Sequence, residues 1–146
     1  LWGIEIDGYG RVYKNERNGK IIPEAFKKDK KYTGDLIGKK NKFFFNVNDV
    51  REPKGGDEYN SDVSIIFIVD IMEVYPNIQH RTDEEVRADV IGILKNTQFR
   101  DPKITTSIKK VFEGFQVKDN SRFDDFHPFH VFKITSKIGY FMKNPC

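Results

Sequence analysis

The amino-acid sequence predicts a single α+β domain: a mostly antiparallel sheet with one or two amphipathic helices packed on it, and long charged loops. Three observations indicate this class. In residues 63–74 both the odd-numbered and the even-numbered positions are mostly apolar, as in a strand that is covered on both faces. After Thr82 the apolar residues recur at helical spacing, and residues 132–142 alternate between apolar and polar.

The composition supports a folded domain. The chain has 146 residues, which suits one domain, so we interpret 1–146 as a loop-rich β segment (1–62) followed by a core strand–helix–strand segment (63–146). Charged residues make up 32 % of the chain, but 13 Phe and six Tyr indicate a packed interior. The single cysteine, Cys146, cannot form an intrachain disulfide, which suits a reducing compartment.

Charge and hydropathy narrow the classes of partner. A net charge of +3 does not by itself identify a nucleic-acid-binding protein. The longest apolar run is interrupted by Ser64 and Asp70 and is shorter than the roughly 20 residues that cross a bilayer, so we expect no membrane partner. The chain begins with Leu1 rather than Met, so we expect residues upstream of it.

The N-terminal part is predicted to be rich in β structure. Residues 2–13 suggest a strand, a turn around Gly8 and Gly10, and a second strand. Asn18 and Gly19 form a turn signal, and Pro23 places the following segment at a sheet edge or at the end of a strand.

Two charged segments are predicted to be exposed loops. Residues 27–42 hold seven lysines and lead into a buried strand at Phe43, Phe44 and Phe45. Residues 51–62 contain Pro53, two glycines and six charged residues. The candidate contact residues on these loops are Lys27, Lys28, Lys30, Lys31, Lys39, Lys40, Lys42, Arg51 and Lys54.

The C-terminal half is predicted to contain the helices. Thr82 and Glu85 have the spacing of a capping box, in which each side chain bonds the other's backbone amide. The helix is expected to run for about four turns, and its apolar side is Val86, Val90, Ile93, Leu94 and Thr97. Residues 104–115 fit a helical period but are rich in β-branched side chains, so both states remain open; we favour a short helix passing into a strand.

The search for chemistry gives one mixed cluster of imidazoles and carboxylates. Asp124 and Asp125 precede His127 and His130, but two histidines three positions apart on a strand point to opposite faces, so we predict no metal site. The acidic residues 83–85 are explained by the first turn of a helix, although His80 and Arg81 offer positive charge for an anion there.

Other catalytic patterns are missing from the sequence. The glycine pairs lack the further residues that a nucleotide-binding loop needs, and no serine or threonine sits in a nucleophile-elbow pattern. We therefore predict a protein that is not an enzyme, with no catalytic, cofactor-binding or metal-binding residues.

Several segments, in this order, resemble a known family. They are YGRVY (9–13), GKIIPE (19–24), FFF (43–45), SIIFIVD (64–70), HRTDEEVR (80–87) and HPFHVFKI (127–134). The chain resembles the head–tail joining and tail-terminator proteins of tailed bacteriophages. The resemblance spans most of the chain and rests on the order and general character of these segments rather than on a diagnostic motif.

The resemblance implies a structural role. Such proteins form a ring of six or twelve copies in the virion neck or tail, and sheet edges and long loops make the contacts between subunits. It implies assembly in the host cytoplasm, other neck or tail proteins as partners, and DNA only as the passing genome, with no cofactor. The lysine-rich loop departs from the family because a DNA channel avoids positive charge; we expect this loop outside the channel or against an acidic neighbour.

Two rival interpretations remain. One is a nucleic-acid-binding module that uses the lysine-rich loop 27–42, since lysines neutralise phosphates and bases stack on aromatic rings. The other is a metal-dependent hydrolase that uses Asp124, Asp125, His127 and His130.

Overall fold

The computed structural model describes residues 2–26, 32–33, 40–47, 52–55, 58–115 and 127–141. These residues form an α+β fold, as predicted. The strands are β1 (Asp7–Arg17), β2 (Lys20–Phe26), β3 (Tyr32–Thr33), β4 (Lys42–Val47), β5 (Glu52–Gly55), β6 (Glu58–Asp70), β7 (Lys103–Thr105) and β8 (Phe129–Phe141). The helices are α1 (Ile71–Val74), α2 (Asp83–Leu94) and α3 (Ile108–Val111).

The strands form one sheet with the order β3-β2-β1-β4-β6-β8-β7, and β5 pairs with β6 beside this path. All neighbours are antiparallel except β1 and β4, which are parallel. Strands β6 and β8 pair over 13 positions, from Glu58 opposite Phe141 to Asp70 opposite Phe129. The two longest strands of the described sheet are therefore paired along their whole length.

Strand β6 is covered on both faces, which confirms the prediction from its apolar run. Ile65, Phe67 and Val69 pack with residues of α1 and α2, whereas Ile66 and Ile68 pack with residues around α3. The strand ends at Asp70, earlier than predicted. Its carboxylate accepts the amides of Met72 and Glu73 and so begins a helix where further strand was expected.

The prediction of a loop at residues 51–62 is wrong, because all of the described residues in this range are in strands. Glu52 is opposite Asn60 and Pro53 is opposite Tyr59, so β5 and the first part of β6 form a hairpin. The same part of β6 pairs with the last residues of β8. This distant pairing overrides the local composition, and it places Lys54 in a strand rather than a loop.

Strand β1 is continuous, which corrects the predicted strand–turn–strand. Gly8 lies in the strand, where a Cβ atom would stand 2.8 Å from Cζ of Phe43, so the glycine makes room for the neighbouring strand. The Asn18–Gly19 turn is confirmed: both residues have positive φ, 52° and 73°, as a tight hairpin turn requires. Pro23 lies in β2, where it is opposite Lys14 of β1. On its other side β2 pairs with β3 only at Ala25 and Phe26, so Pro23 does not pair with β3.

The N-terminal segment is fixed on α2 by side-chain hydrogen bonds. Trp2 Nε1 donates to Asp89 Oδ2 over 2.8 Å, and the Tyr75 hydroxyl donates to the same oxygen. Just before β4, Asn41 is buried; its side-chain oxygen accepts a hydrogen bond from the Asp70 amide, and its side-chain nitrogen donates to the Glu73 carboxylate of α1.

Helix α2 begins at the predicted residue but lacks the predicted capping box. The Thr82 side chain makes no capping bond and is buried instead. Val86 and Val90 are buried as predicted, whereas Ile93 is 54 % exposed. The helix ends at Leu94 after 12 residues, shorter than the predicted four turns, and no helix in the described part of the chain is long and apolar enough to cross a membrane.

The region 103–115 contains a strand followed by a helix, the reverse of the predicted order. Ile104 lies in β7, and the helically spaced residues Val111, Phe112 and Phe115 are buried under the sheet. Strand β8 runs without a break from Phe129 to Phe141.

Candidate functional site

The three histidines of the chain lie around the start of α2. His130, at the beginning of β8, is buried, and its Nδ1 atom lies 3.6 Å from Asp83 Oδ1. The Arg81 guanidinium binds the same carboxylate through Nε at 2.9 Å and Nη2 at 3.1 Å. Nη1 of Arg81 lies 3.1 Å from His127 Nδ1. His80 Nε2 lies 3.3 Å from a Glu85 oxygen.

The charge states in this cluster follow from burial and pairing. Burial lowers the pKa of His130 to about 4, although the Asp83 carboxylate opposes this effect. Burial also acts to raise the pKa of Asp83, but the hydrogen bond from Arg81 and the positive charges nearby hold it below its ordinary value. His130 is therefore neutral near pH 7, and Asp83 is a paired carboxylate.

This arrangement does not favour a metal ion at the predicted histidine cluster. Strand β8 begins at Phe129, so His127 lies before the strand. The expectation that His127 and His130 point to opposite faces assumed that both lie on one strand, and it does not apply. Both imidazoles instead approach the start of α2, where the Arg81 cation contacts His127 and Asp83. Among the described residues no group of three or more His, Cys, Asp or Glu side chains could hold a metal. Asp124 and Asp125 lie outside the described residues.

A polar cavity of about 560 Å³ lies beside α3 on the other face of the sheet. Its lining includes both signs of charge, such as Lys14, Asp62 and Lys133. Lys133 Nζ donates to the Lys110 carbonyl at 2.9 Å, and burial lowers the pKa of this amine. The hydroxyl oxygens of Ser64 and Thr135 are 2.8 Å apart, in hydrogen-bond contact with each other. These pairings within the protein stabilise the cavity wall.

A third feature is an exposed aromatic surface on the β1–β2 hairpin. Val12 and Ala25 are opposite each other and point into the core, so their neighbours Tyr13 and Phe26 point to the other face. Tyr13 is 41 % exposed and Phe26 is 54 % exposed. The Arg11 Cζ atom lies 5.2 Å from the centroid of the Tyr13 ring. We call Arg11, Tyr13 and Phe26 the hairpin surface.

Of the predicted contact residues, the described part of the chain includes Lys40, Lys42 and Lys54. Lys40 lies before β4, and its amine is 2.7 Å from an Asp7 carboxylate oxygen, whose hydrogen bond raises the pKa of Lys40. Lys42 was predicted on a loop but is a buried residue of β4, because the strand begins one position before the phenylalanines. The candidates that lie outside the described residues are Lys27, Lys28, Lys30, Lys31, Lys39 and Arg51.

The hairpin surface was not predicted as a site. Its signal in the sequence is weak, because two aromatic residues on strands are as consistent with a core as with a surface. Only the register of β1 and β2 shows that Tyr13 and Phe26 share the face opposite to Val12 and Ala25.

The chain matches no protein-family model, and comparisons with curated proteins and with solved structures gave no significant match. A functional proposal therefore depends on the surfaces of the fold and on the resemblance in the order of sequence segments.

Proposed function

We propose that the chain is a structural subunit of a phage virion, which forms an oligomeric ring at the head–tail junction or the tail terminus and carries out no catalysis. The observation that supports this proposal best is the uneven pairing of β8. It pairs with β6 at all 13 of its positions but with β7 only at Lys133, Ile134 and Thr135.

The outer edge of β8 is suited to contact with another chain. Within the described part of the chain, no strand pairs with this edge at residues 138–141. Such an edge offers backbone donors and acceptors to a strand of a neighbouring molecule. Beside it, Ile104 of β7 is 45 % exposed and supplies apolar area for the same contact.

The order of strands favours a head-to-tail arrangement. The path of strands begins at β3 and ends at β7, so the two edges of the sheet are different surfaces at opposite sides of the domain. When one edge of a subunit binds a different edge of the next, the contacts generate a ring if the rotation closes. The expected size, a hexamer or dodecamer, comes from the resemblance to head–tail joining and tail-terminator proteins.

The remaining parts of the proposal follow from the same resemblance. The partners are other neck or tail proteins, the subunit resides in the virion after assembly in the host cytoplasm, and DNA passes through without being a substrate. No cofactor is required for this role.

A pair of matched variants tests the edge contact. Ile104→Asp introduces a charge at the edge strand, whereas Ile93→Asp changes a similarly exposed isoleucine on α2. In native mass spectrometry and electron microscopy of the purified chain we expect a closed ring that Ile104→Asp disrupts and Ile93→Asp leaves intact. A ring that withstands Ile104→Asp would place the contact elsewhere.

A further inference from the structure

The face of the sheet that packs against α3 changes from apolar to polar along its strands. Phe44 and Ile66 are opposite each other and are buried with residues of α3. Two positions along the same strands, on the same face, Asn46 is opposite Ser64, and Ser64 is opposite Thr135. The polar cavity of about 560 Å³ lies over this row. Its volume is within the range of roughly 300–1,000 Å³ that small-molecule sites occupy.

Two side-chain amides and two carboxylates in the lining of this cavity are not used by the fold. Asn15 and Asn46 supply the amides, and Asp62 and Glu113 supply the carboxylates. Within the part of the chain that the structure describes, none of these four side chains has a hydrogen-bond or ion-pair partner. The two asparagines are half-buried, and each amide offers two donors and one acceptor oxygen. The cavity therefore presents donors and acceptors that are open to a ligand.

The charges around the cavity oppose a ligand with a strong charge of either sign. Arg11, Lys14 and Lys133 contribute positive charge to the lining, and Asp62 and Glu113 contribute negative charge. A phosphate ion would meet the carboxylates and a metal cation would meet the lysines, so like charges repel both. A neutral ligand avoids this repulsion if it can donate to the carboxylates and also accept from the amides. A hydroxyl group does both.

From the cavity and its unpaired groups we propose that the chain binds a small neutral saccharide at this place. A sugar ring carries several hydroxyls, and each of them donates one hydrogen bond and accepts others. Asp62 and Glu113 accept hydrogen bonds from these hydroxyls, and Asn15 and Asn46 both donate and accept. The bonds to the two carboxylates are the stronger ones, because the acceptor is charged. This activity goes beyond the proposed ring subunit, and its test does not depend on whether a ring forms.

Saturation-transfer difference NMR of the full chain with a panel of neutral sugars tests the proposal. The panel is glucose, galactose, mannose, N-acetylglucosamine, maltose and lactose. We expect saturation transfer to at least one of them. When that sugar is titrated, the side-chain amide signals of Asn15 and Asn46 should shift in a nitrogen–proton correlation spectrum. Inorganic phosphate and Ca²⁺ at the same concentrations should leave those signals in place, because like charges repel both ions.

Variants of two lining residues locate the binding in the cavity. Asp62→Asn keeps the shape of the side chain but removes its charge, and it should weaken binding about tenfold, as expected for a hydrogen bond to a charged group. Asn46→Ala should weaken binding about two- to tenfold. The matched control Asn77→Ala removes an exposed amide between α1 and α2, outside the cavity lining, and should leave the affinity unchanged.

Three results would overturn the proposal. The first is the absence of saturation transfer to every sugar of the panel. The second is an unchanged affinity in the lining variants; because Asp62 is exposed, Asp62→Asn carries this arm alone if Asn46→Ala does not fold. The third is tighter binding of phosphate or Ca²⁺ than of any sugar, because one sign of charge would then dominate the cavity.

Discussion

Trp2 Nε1 donates a hydrogen bond to Asp89 Oδ2 at 2.8 Å, and so connects the N-terminal segment to α2 across 87 positions of sequence. The hydroxyl of Tyr75 donates to the same oxygen. The hydrogen bond to Asp89 raises the pKa of Tyr75 to about 12, because the Asp89 carboxylate accepts a hydrogen bond from the protonated phenol and so favours that form. One carboxylate thus holds together three parts of the chain that are distant in sequence.

Asp89→Ala should destabilise the fold. The change leaves two partly buried donors without their acceptor, at a cost of about 1–3 kcal/mol in the free energy of unfolding. Urea unfolding followed by the fluorescence of Trp2, the single tryptophan, measures this loss. Glu84→Ala, at an exposed position on the same helix, is the control and should change stability by no more than about 0.5 kcal/mol. Equal effects of the two changes would contradict the role of Asp89.

Burial of neutral His130 should make the fold sensitive to acid. Its pKa is about 4 in the folded state, below the ordinary value of 6.5, so the unfolded state binds the proton more readily. The stability due to the neutral imidazole is present above pH 6.5 and is lost as the pH falls towards 4. The groups that face it are Asp83, Arg81 and Arg87. The lowered pKa of Asp83 acts in the same direction but below pH 3.8.

His130→Phe tests this titration, since a phenylalanine can stack on Phe132 as the imidazole does, with ring centroids 5.0 Å apart. Urea midpoints measured between pH 7 and pH 4.5 should fall more steeply for the original chain than for the variant. Parallel curves would show that another group carries the acid sensitivity in this range.

Gly19→Ala should weaken the β1–β2 hairpin through the backbone alone. Gly19 has φ of 73°, a conformation that costs an L-residue about 1–2 kcal/mol, and no heavy atom lies within 4 Å of an added Cβ. Gly10→Ala is the matched control, because its surroundings are equally open and its φ is not in the positive range. Thermal unfolding should show a lower Tm for Gly19→Ala and little change for Gly10→Ala. A similar loss in both would mean that the turn conformation is not the cause.

The sequence predicted those elements whose signal is local. Strand β6 is apolar at successive positions, and only a strand buried on both faces satisfies that pattern. The Asn18–Gly19 turn was recognisable for the same reason, because few residue pairs accept two positive φ angles. Helix α2 was located by the helical spacing of its apolar residues, such as Val86 and Val90, even though Thr82 makes no capping bond with its side chain.

Elements that depend on distant partners were not predictable. The β5–β6 hairpin forms beside a long β8, and the charged, glycine-rich residues 51–62 give no local sign of this pairing. In the region 103–115, helical spacing and β-branched residues occur together, and pairing with β8 decides that Ile104 is in a strand. The lysine run was visible as a candidate site, but the exposed rings of Tyr13 and Phe26 required the register of the sheet.

The central claim, a structural subunit of the virion, is tested most directly in purified phage particles from the source of this sequence. A chain that is monomeric in isolation still fits a subunit that assembles only on its neighbours, so the particle is the decisive sample. Quantitative mass spectrometry should find the chain there at a copy number of six or twelve per tail, and electron microscopy should place it in a ring at the neck or tail end. Absence of the chain from purified particles would contradict the account.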